Sequence, residues 1–429
     1  MGQTALKHLL PDRPRTLAVC FVLWLAALDQ SHAQDTLLAR QILDTLCSSS
    51  FSGRGYHQGG QQAAGAYIQK RFENWGLHTL QSSPCTVRVA RYDVVELSAG
   101  RKKLKTGVEY SIPAGSGCGT GYLKGLPKKK TLDPYYSDRS AYTYPYNTNI
   151  RNKKSQPAGA GRVALEWRKG PFIGTLADSM GQTTRIRIDP NHLPKNARRL
   201  RWNIQGSLDT SLQYNIQAMI RGSQFPDSVI VLCAHYDHLG MSGSACLYPG
   251  ANDNASGTAM LMDLARHYAQ PEHHPPYSLL FVAFAAEEAG LLGSQHYVSN
   301  PPLPLERHCL VLNLDLMGGG SNGLMVVNGE EEAAVTELIR NCNTRGQYLS
   351  RIDVRRNARN SDHYPFTLKK VPAVFLYTQG DVTAYHHPDD RPEDLAWRHY
   401  TPTFQLLRDV VDQRMRLHTA TRSHTHTSP

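Results

Sequence analysis

The chain has 429 residues, 40% of them apolar, and is punctuated throughout by Gly and Pro, which excludes a disordered polymer and allows one large domain with an addition or two to three domains. Its formal charge of +11 is uneven: residues 85–205 hold 23 Lys and Arg against 8 Asp and Glu, a net of +15, while the rest beyond residue 33 is acidic, at about −5. The basic bursts, at Arg101–Lys105, Lys128–Lys130, Arg151–Lys154 and Lys195–Arg201, read as solvated surface or as attraction to an acidic partner. Nothing beyond charge supports nucleic-acid binding.

Residues 1–33 read as a secretory signal peptide. Lys7, Arg13 and Arg15 precede an apolar run from Leu17 to Leu28, and Ser31-His32-Ala33 offers small residues for cleavage after Ala33. That run is too short to span a bilayer, and no other segment approaches transmembrane length. The expected location is therefore secreted or periplasmic. Cys20 leaves with the signal, so seven cysteines remain; an odd number leaves at least one unpaired, and no C-x-x-C zinc spacing occurs.

Residues 34–84 predict helices over Thr36–Leu46 and Gln61–Trp75, joined by the glycine-rich SFSGRGYHQGG. From 85 to 205 the chain turns to short β-like runs, among them TVRVARYDVVEL and TTRIRID, with YSDRSAYTYPYNTNIRNKKS as a surface loop: a basic, β-rich insert. From 206 to 416 strands and helices alternate, with helices expected over Ser256–Tyr268, Glu330–Arg345 and Leu395–Met415 and caps at Asn254 and Ser256. A Thr/His-rich disordered tail, 417–429, follows. The fold expected is α/β: a three-layer α/β/α sandwich around a central, mostly parallel twisted sheet, with the insert added.

The apolar runs of this core lack a polar alternate face, as buried parallel strands do. At or just past their ends stand His235 and Asp237 in SVIVLCAHYDHLG, Glu287 and Glu288 in SLLFVAFAAEEAGLLGS, Asp315 in CLVLNLDLMG and His386 in AVFLYTQGDVTAYHHPDD; the PGANDNASG loop adds Asp253. Carboxyl ends of parallel strands line one crevice, so these residues converge. So many carboxylates together repel one another unless a cation joins them.

The stretches AHYDHLG, PGANDNASGTA, FVAFAAEEAGLLGS, LNLDLMG, SDHYPF and YHHPDD, with SGRGYHQGGQQAAGAYIQKRFENWGL near the start, resemble the co-catalytic di-zinc aminopeptidases related to bacterial leucyl aminopeptidases. The resemblance covers most of 35–80 and 206–416. It implies two Zn2+ ions bridged by Asp253, one completed by His235 and Asp315 and the other by Glu288 and His386, with Glu287 as general base. It also implies a cis Asp253–Asn254 peptide. Zinc accepts imidazole and carboxylate donors, and two ions about 3.5–4 Å apart can activate one water and polarise a carbonyl. Asp237 is expected to accept the far N–H of His235, and Tyr385 is either an oxyanion donor or a core aromatic. His238, Asp362 and His363 are expected to make structural hydrogen bonds. Where relatives show His-Thr-Pro this chain has His386-His387-Pro388; the register of Tyr385 and Asp390 favours His386 as ligand.

The activity implied is removal of N-terminal residues from peptides with a free amine. The rivals are a glutaminyl cyclase of the same fold, a carboxypeptidase for acidic peptides and a non-catalytic ectodomain. Cyclase-like chains interrupt the stretch from the paired glutamates to Gly-Ser, whereas Glu287 to Ser294 runs unbroken here; ectodomains lose ligands, and every ligand position here is filled.

Overall fold

A computed structural model describes residues 36–124, 141–145 and 162–425. The expected signal segment and much of the expected surface loop lie outside the described residues. The helices are α1 (Thr36–Cys47), α2 (Gly60–Asn74), α3 (Gly257–Ala269), α4 (Leu292–Ser299), α5 (Ala333–Gly346), α6 (Tyr364–Leu368) and α7 (Tyr400–Thr425). The last runs through Thr425, so helical backbone occupies most of the segment expected to be a disordered tail. None of the described helices is long and apolar enough to cross a membrane.

The main sheet has eight strands: β1 (His78–Leu80), β2 (Ile216–Ile220), β3 (Phe225–His235), β4 (Tyr277–Phe284), β5 (His308–Leu314), β6 (Leu324–Val327), β7 (Ile352–Arg355) and β8 (Ala373–Thr378). Their spatial order is β1-β2-β4-β3-β5-β8-β6-β7. The central strands β4, β3, β5 and β8 are mutually parallel, and antiparallel pairs flank them on both sides. Every residue of β4 is buried, which is why its sequence shows no polar alternation. In β3, Ile230, Leu232 and Ala234 join the core that includes α1, α2, α3 and α7, while Val231 and Cys233 join a second core with Tyr297 of α4 and Phe366 of α6. Helices therefore cover both faces. Because the central strands run the same way, His235, the Glu287–Glu288 turn and Asp315 emerge along one edge.

The insert has a hydrophobic core of its own, with Val95, Leu97, Tyr110, Val163, Ile186 and Trp202 among its members. Two four-stranded sheets build it: one orders 102–103, 85–99, 199–213 and 119–124, the other 110–111, 183–188, 162–167 and 141–145. Two expectations change. Ala141–Pro145, read as loop, pairs with Arg162–Trp167. The expected boundary at 205 falls inside a strand, because Arg199–Gln213 pairs with Cys85–Ala99 from Leu200↔Ala99 to Gln213↔Cys85. Its far half is half-buried and mostly polar, and so carries no apolar run to read.

Candidate active site

His235 ends β3 and is buried, with Nε2 3.4 Å from Asp253 Oδ1 and 3.5 Å from Asp315 Oδ1. His386 brings its Nε2 2.9 Å from Asp253 Oδ2 and 3.1 Å from Glu288 Oε2. His238 Nδ1 bonds Glu288 Oε1 at 2.7 Å. Two donor groups result: His235, Asp253 and Asp315, and His238, Asp253, Glu288 and His386, with Asp253 common to both. His238, expected only to make structural hydrogen bonds, thus also lies within ligand distance. Glu287 and His387 stand outside both groups. His387 instead accepts the N–H of Asp389 at 3.2 Å.

The scaffold behind these atoms is largely backbone. Asp390 accepts the N–H groups of Asn252 and Asp253 at 2.8 and 3.0 Å. The Asp253–Asn254 peptide is cis. Asn254 Oδ1 caps α3 through the N–H of Gly257 and its Nδ2 donates to Leu314 O, tying the loop to β5. Ala286, Leu316 and His386 all take left-handed φ of 50–59°. Such conformations are uncommon outside glycine and gather where function holds them.

Asp237 departs from its expected role. The ring Nδ1 of His235 bonds the main-chain carbonyl of Asp237 at 3.2 Å, while the carboxylate lies 3.7 Å away. That carboxylate accepts the N–H of Glu287 on one oxygen and of Glu288 on the other, both at 3.1 Å, and also the hydroxyl of Tyr56. It positions the turn carrying the expected base and ligand together.

Sequence reading also missed three supports. Arg54, fully buried, donates five hydrogen bonds, to the carbonyls of Tyr236, Leu46, Pro249, Gly250 and Asp253. Tyr56 is the second, donating its hydroxyl to Asp237. Gly174, in the insert, clamps His386 twice: its carbonyl accepts Nδ1–H at 3.0 Å and its N–H donates to His386 O at 2.8 Å. The clamp fixes the tautomer that turns Nε2 toward Asp253 and Glu288.

Tyr385 stacks on the His386 ring at 4.0 Å, is 49% exposed, and belongs to no core. Burial of its hydroxyl end, reinforced by Asp253 and Glu288, raises its pKa and keeps it a donor. Asp362 is buried and pushed up to about 7, chiefly by burial. His363 Nε2 lies 3.1 Å from Asn357 Oδ1.

The electrostatics ask for positive charge. Glu288 and Asp253 overcome burial and raise His386 to about 11; Asp315 and Glu287 do the same for His235, which lies well above its usual value. Against burial, His235 and His386 hold Asp253 well below the carboxylate range. Without a cation the cluster keeps protons on its imidazoles, where a metal would sit. Burial raises Glu287 far above the glutamate range, with Glu288, Asp362 and Asp315 adding to the shift and His235 opposing it. Asp315 Oδ1 is buried with no hydrogen-bond donor. An orphaned carboxylate oxygen in a nitrogen-and-oxygen donor set fits zinc.

Residues 215–411 match the model of Peptidase family M28. Among curated proteins, the chain is 40% identical over 94 residues to Aminopeptidase YwaD of Bacillus subtilis (22% of this chain, 19% of that protein), and 30% identical over 173 residues to Leupeptin-inactivating enzyme 1 of Streptomyces exfoliatus (40% and 37%). The chain spans half or less of the length of these relatives. Among solved structures, BSAP, a zinc aminopeptidase from Bacillus subtilis, superposes with a TM-score of 0.62 at 19% identity, covering 89% of this chain and 96% of that one. A match omitting residues 85–205 could reach only about 72% of this chain, so the common fold extends into the insert. Residues 215–411, a little under half of the chain, thus resemble Peptidase family M28, and the solved structure shows that the fold is shared.

Proposed function

We propose that this chain is an exported zinc aminopeptidase that holds two zinc ions and releases single residues from the N-terminus of peptides. One observation carries the reading: the two oxygens of Asp253 face different imidazoles, His235 and His386, so one carboxylate serves two donor groups. His235 and Asp315 would hold one ion, and Glu288 and His386 the other. Bound zinc supplies Lewis acidity toward a peptide carbonyl and acidifies water.

The chain's own residues do the rest. Glu287, outside both donor groups, can accept a proton from water and return it to the leaving amine. Asp237 holds the Glu287 backbone so that the base keeps its station. The carboxylates of Glu287 and Glu288 favour the substrate's free amine, which selects the first peptide bond. Tyr385, retained in its protonated form, offers a hydrogen bond to negative charge developing on the carbonyl oxygen. Export rests on the pattern of residues 1–33.

The test pairs zinc content with hydrolysis of aminoacyl-anilides, free and acetylated, and with cyclisation of N-terminal glutaminyl peptides. Two zinc ions per active chain and loss of most activity on acetylation are expected. Equal rates on free and blocked substrates would overturn the reading, and one zinc with cyclisation would replace it with a glutaminyl cyclase.

A further inference from the structure

A cavity of about 990 Å³ lies between the insert's first sheet and the catalytic core, apart from the donor groups. Insert residues Leu97, Lys103, Lys105 and Arg201 face Cys246 and Arg391 of the core across it. Its volume is at the upper end for ligand sites, with room for a segment of chain rather than one side chain. The base is apolar: Leu97, Leu104 and Cys246 are buried.

Charge defines what would fill it. Lys103, Lys105, Arg201 and Arg391 line the cavity against one acid, Glu96, which already accepts from Asn203 at 3.2 Å. Arg391 is engaged by Asp389 at 2.9 Å. Lys103, Lys105 and Arg201 have no ion-pair partner among the described residues. Their neighbour Lys102, by contrast, bonds Glu109 at 2.7 Å, and Arg185 and Arg187 share Glu166. Cations left unpaired over an apolar base suit an anionic ligand with hydrophobic substance.

Place connects the cavity to the active site. Pro388 lines it two residues after His386, and Pro249 lines it at the start of the loop that carries Asp253. The insert is seated there without slack: a Cβ on Gly107 would stand 2.7 Å from Pro388 Cγ and 2.8 Å from Cys246 Sγ.

Resting on the aminopeptidase reading, we propose that this cavity is an exosite for an acidic stretch of the peptide substrate, downstream of the residue being removed. Carboxylates of that stretch pair with Lys103, Lys105 and Arg201 while its apolar side chains cover Leu97 and Leu104. The site raises affinity for acidic peptides without altering the chemistry at the first bond.

The experiment uses the zinc-loaded full chain and peptides with a common N-terminal leucine. A Glu-Glu pair is moved from the fourth to the tenth position, and each peptide is compared with its Gln-Gln twin. At least one register should favour the acidic peptide by about tenfold in kcat/KM, through KM, with the preference fading at high salt. Lys103→Ala/Lys105→Ala/Arg201→Ala should bring the ratio to about one and leave leucyl-anilide hydrolysis unchanged, and Arg201→Glu alone should weaken the preference. Binding of a fluorescent Glu-rich peptide, read by anisotropy, supplies an arm that needs no turnover. Charge-independent binding, or a preference that survives the triple variant, overturns the exosite. Leucyl-anilide left intact by the zinc-loaded wild type overturns the aminopeptidase reading instead, while the binding arm still decides the cavity.

Discussion

The catalytic core and the insert use charge in opposite ways. The core buries its acids near strand ends and uses some of them to brace the loops that carry the others, as Asp390 holds the Asp253 loop and Asp237 holds the glutamate turn. The insert carries a net +15 along its sequence and, among the described residues, pairs part of its charge at the surface. One region concentrates unfavourable charge for chemistry, and the other disperses it. They still meet at Gly174 and His386, so the insert is a structural part of the site it flanks.

The sharpest test of the comparison is within the core. Glu287→Gln keeps shape and removes a proton acceptor, so turnover should fall about 10²–10⁴-fold with zinc content kept. Glu288→Gln should instead lower zinc content, measured by elemental analysis. The reverse pattern would exchange base and ligand.

Asp237→Asn is expected to come next, reducing both turnover and zinc affinity by about 10–100-fold, because one carboxylate supports both glutamates. Were Asp237 only a partner of His235, zinc affinity would fall and the pH profile of turnover in zinc-saturated enzyme would stay put.

Gly174→Ala tests the meeting point. Its Cβ would stand 2.7 Å from Leu239 Cδ1 and 2.9 Å from Tyr248 Cε1, forcing the insert loop off His386. Zinc affinity, measured by chelator competition, should fall about tenfold while the fold survives. Unchanged affinity would make the insert a bystander.

The smallest effect is in pH. In metal-free protein His386 is raised to about 11, so its stabilisation is complete below the ordinary histidine value near 6.5 and fades as pH climbs toward 11. In the insert, despite burial, Lys102 lowers Glu109, and Arg187 and Arg185 lower Glu166, so that stabilisation is present above the ordinary glutamate value and is lost as pH falls through their depressed values. Hydrogen exchange should therefore show alkaline loosening in the core and not in the insert, and acid loosening in the insert as well as around Asp253 and Glu288 of the core. Zinc should abolish the alkaline effect, since its binding replaces the imidazole protons. Alkaline loosening of the insert, or its absence in the metal-free core, would contradict these assignments.

What the sequence made legible follows the same divide. Parallel strands buried on both faces leave unbroken apolar runs, and the donors His235, Asp315 and Glu288 sit where those runs stop. Arg54 and Gly174 were hidden because they act through or upon backbone carbonyls, which carry no side-chain signature. Asp237 was visible, but its two candidate partners, a ring N–H and two main-chain N–H groups, are separable only by geometry. The insert resisted reading because its strands are short, its core alternates with solvent-facing residues, and the ribbon Arg199–Gln213 turns polar halfway.

Arg54 bears on how the molecule is made. Its guanidinium is spent entirely on carbonyls, and two of them, Gly250 and Asp253, lie 196 and 199 residues further along the chain. At about 5–20 residues per second of synthesis, this arginine waits roughly 10–40 seconds before those partners leave the ribosome. The segment from 206 to 416, though it contains every donor, is therefore not a portable module. Cut free of residue 54, its two active-site loops lose the anchor that joins them, and a fragment expressed alone should assemble only when the early chain is supplied alongside it.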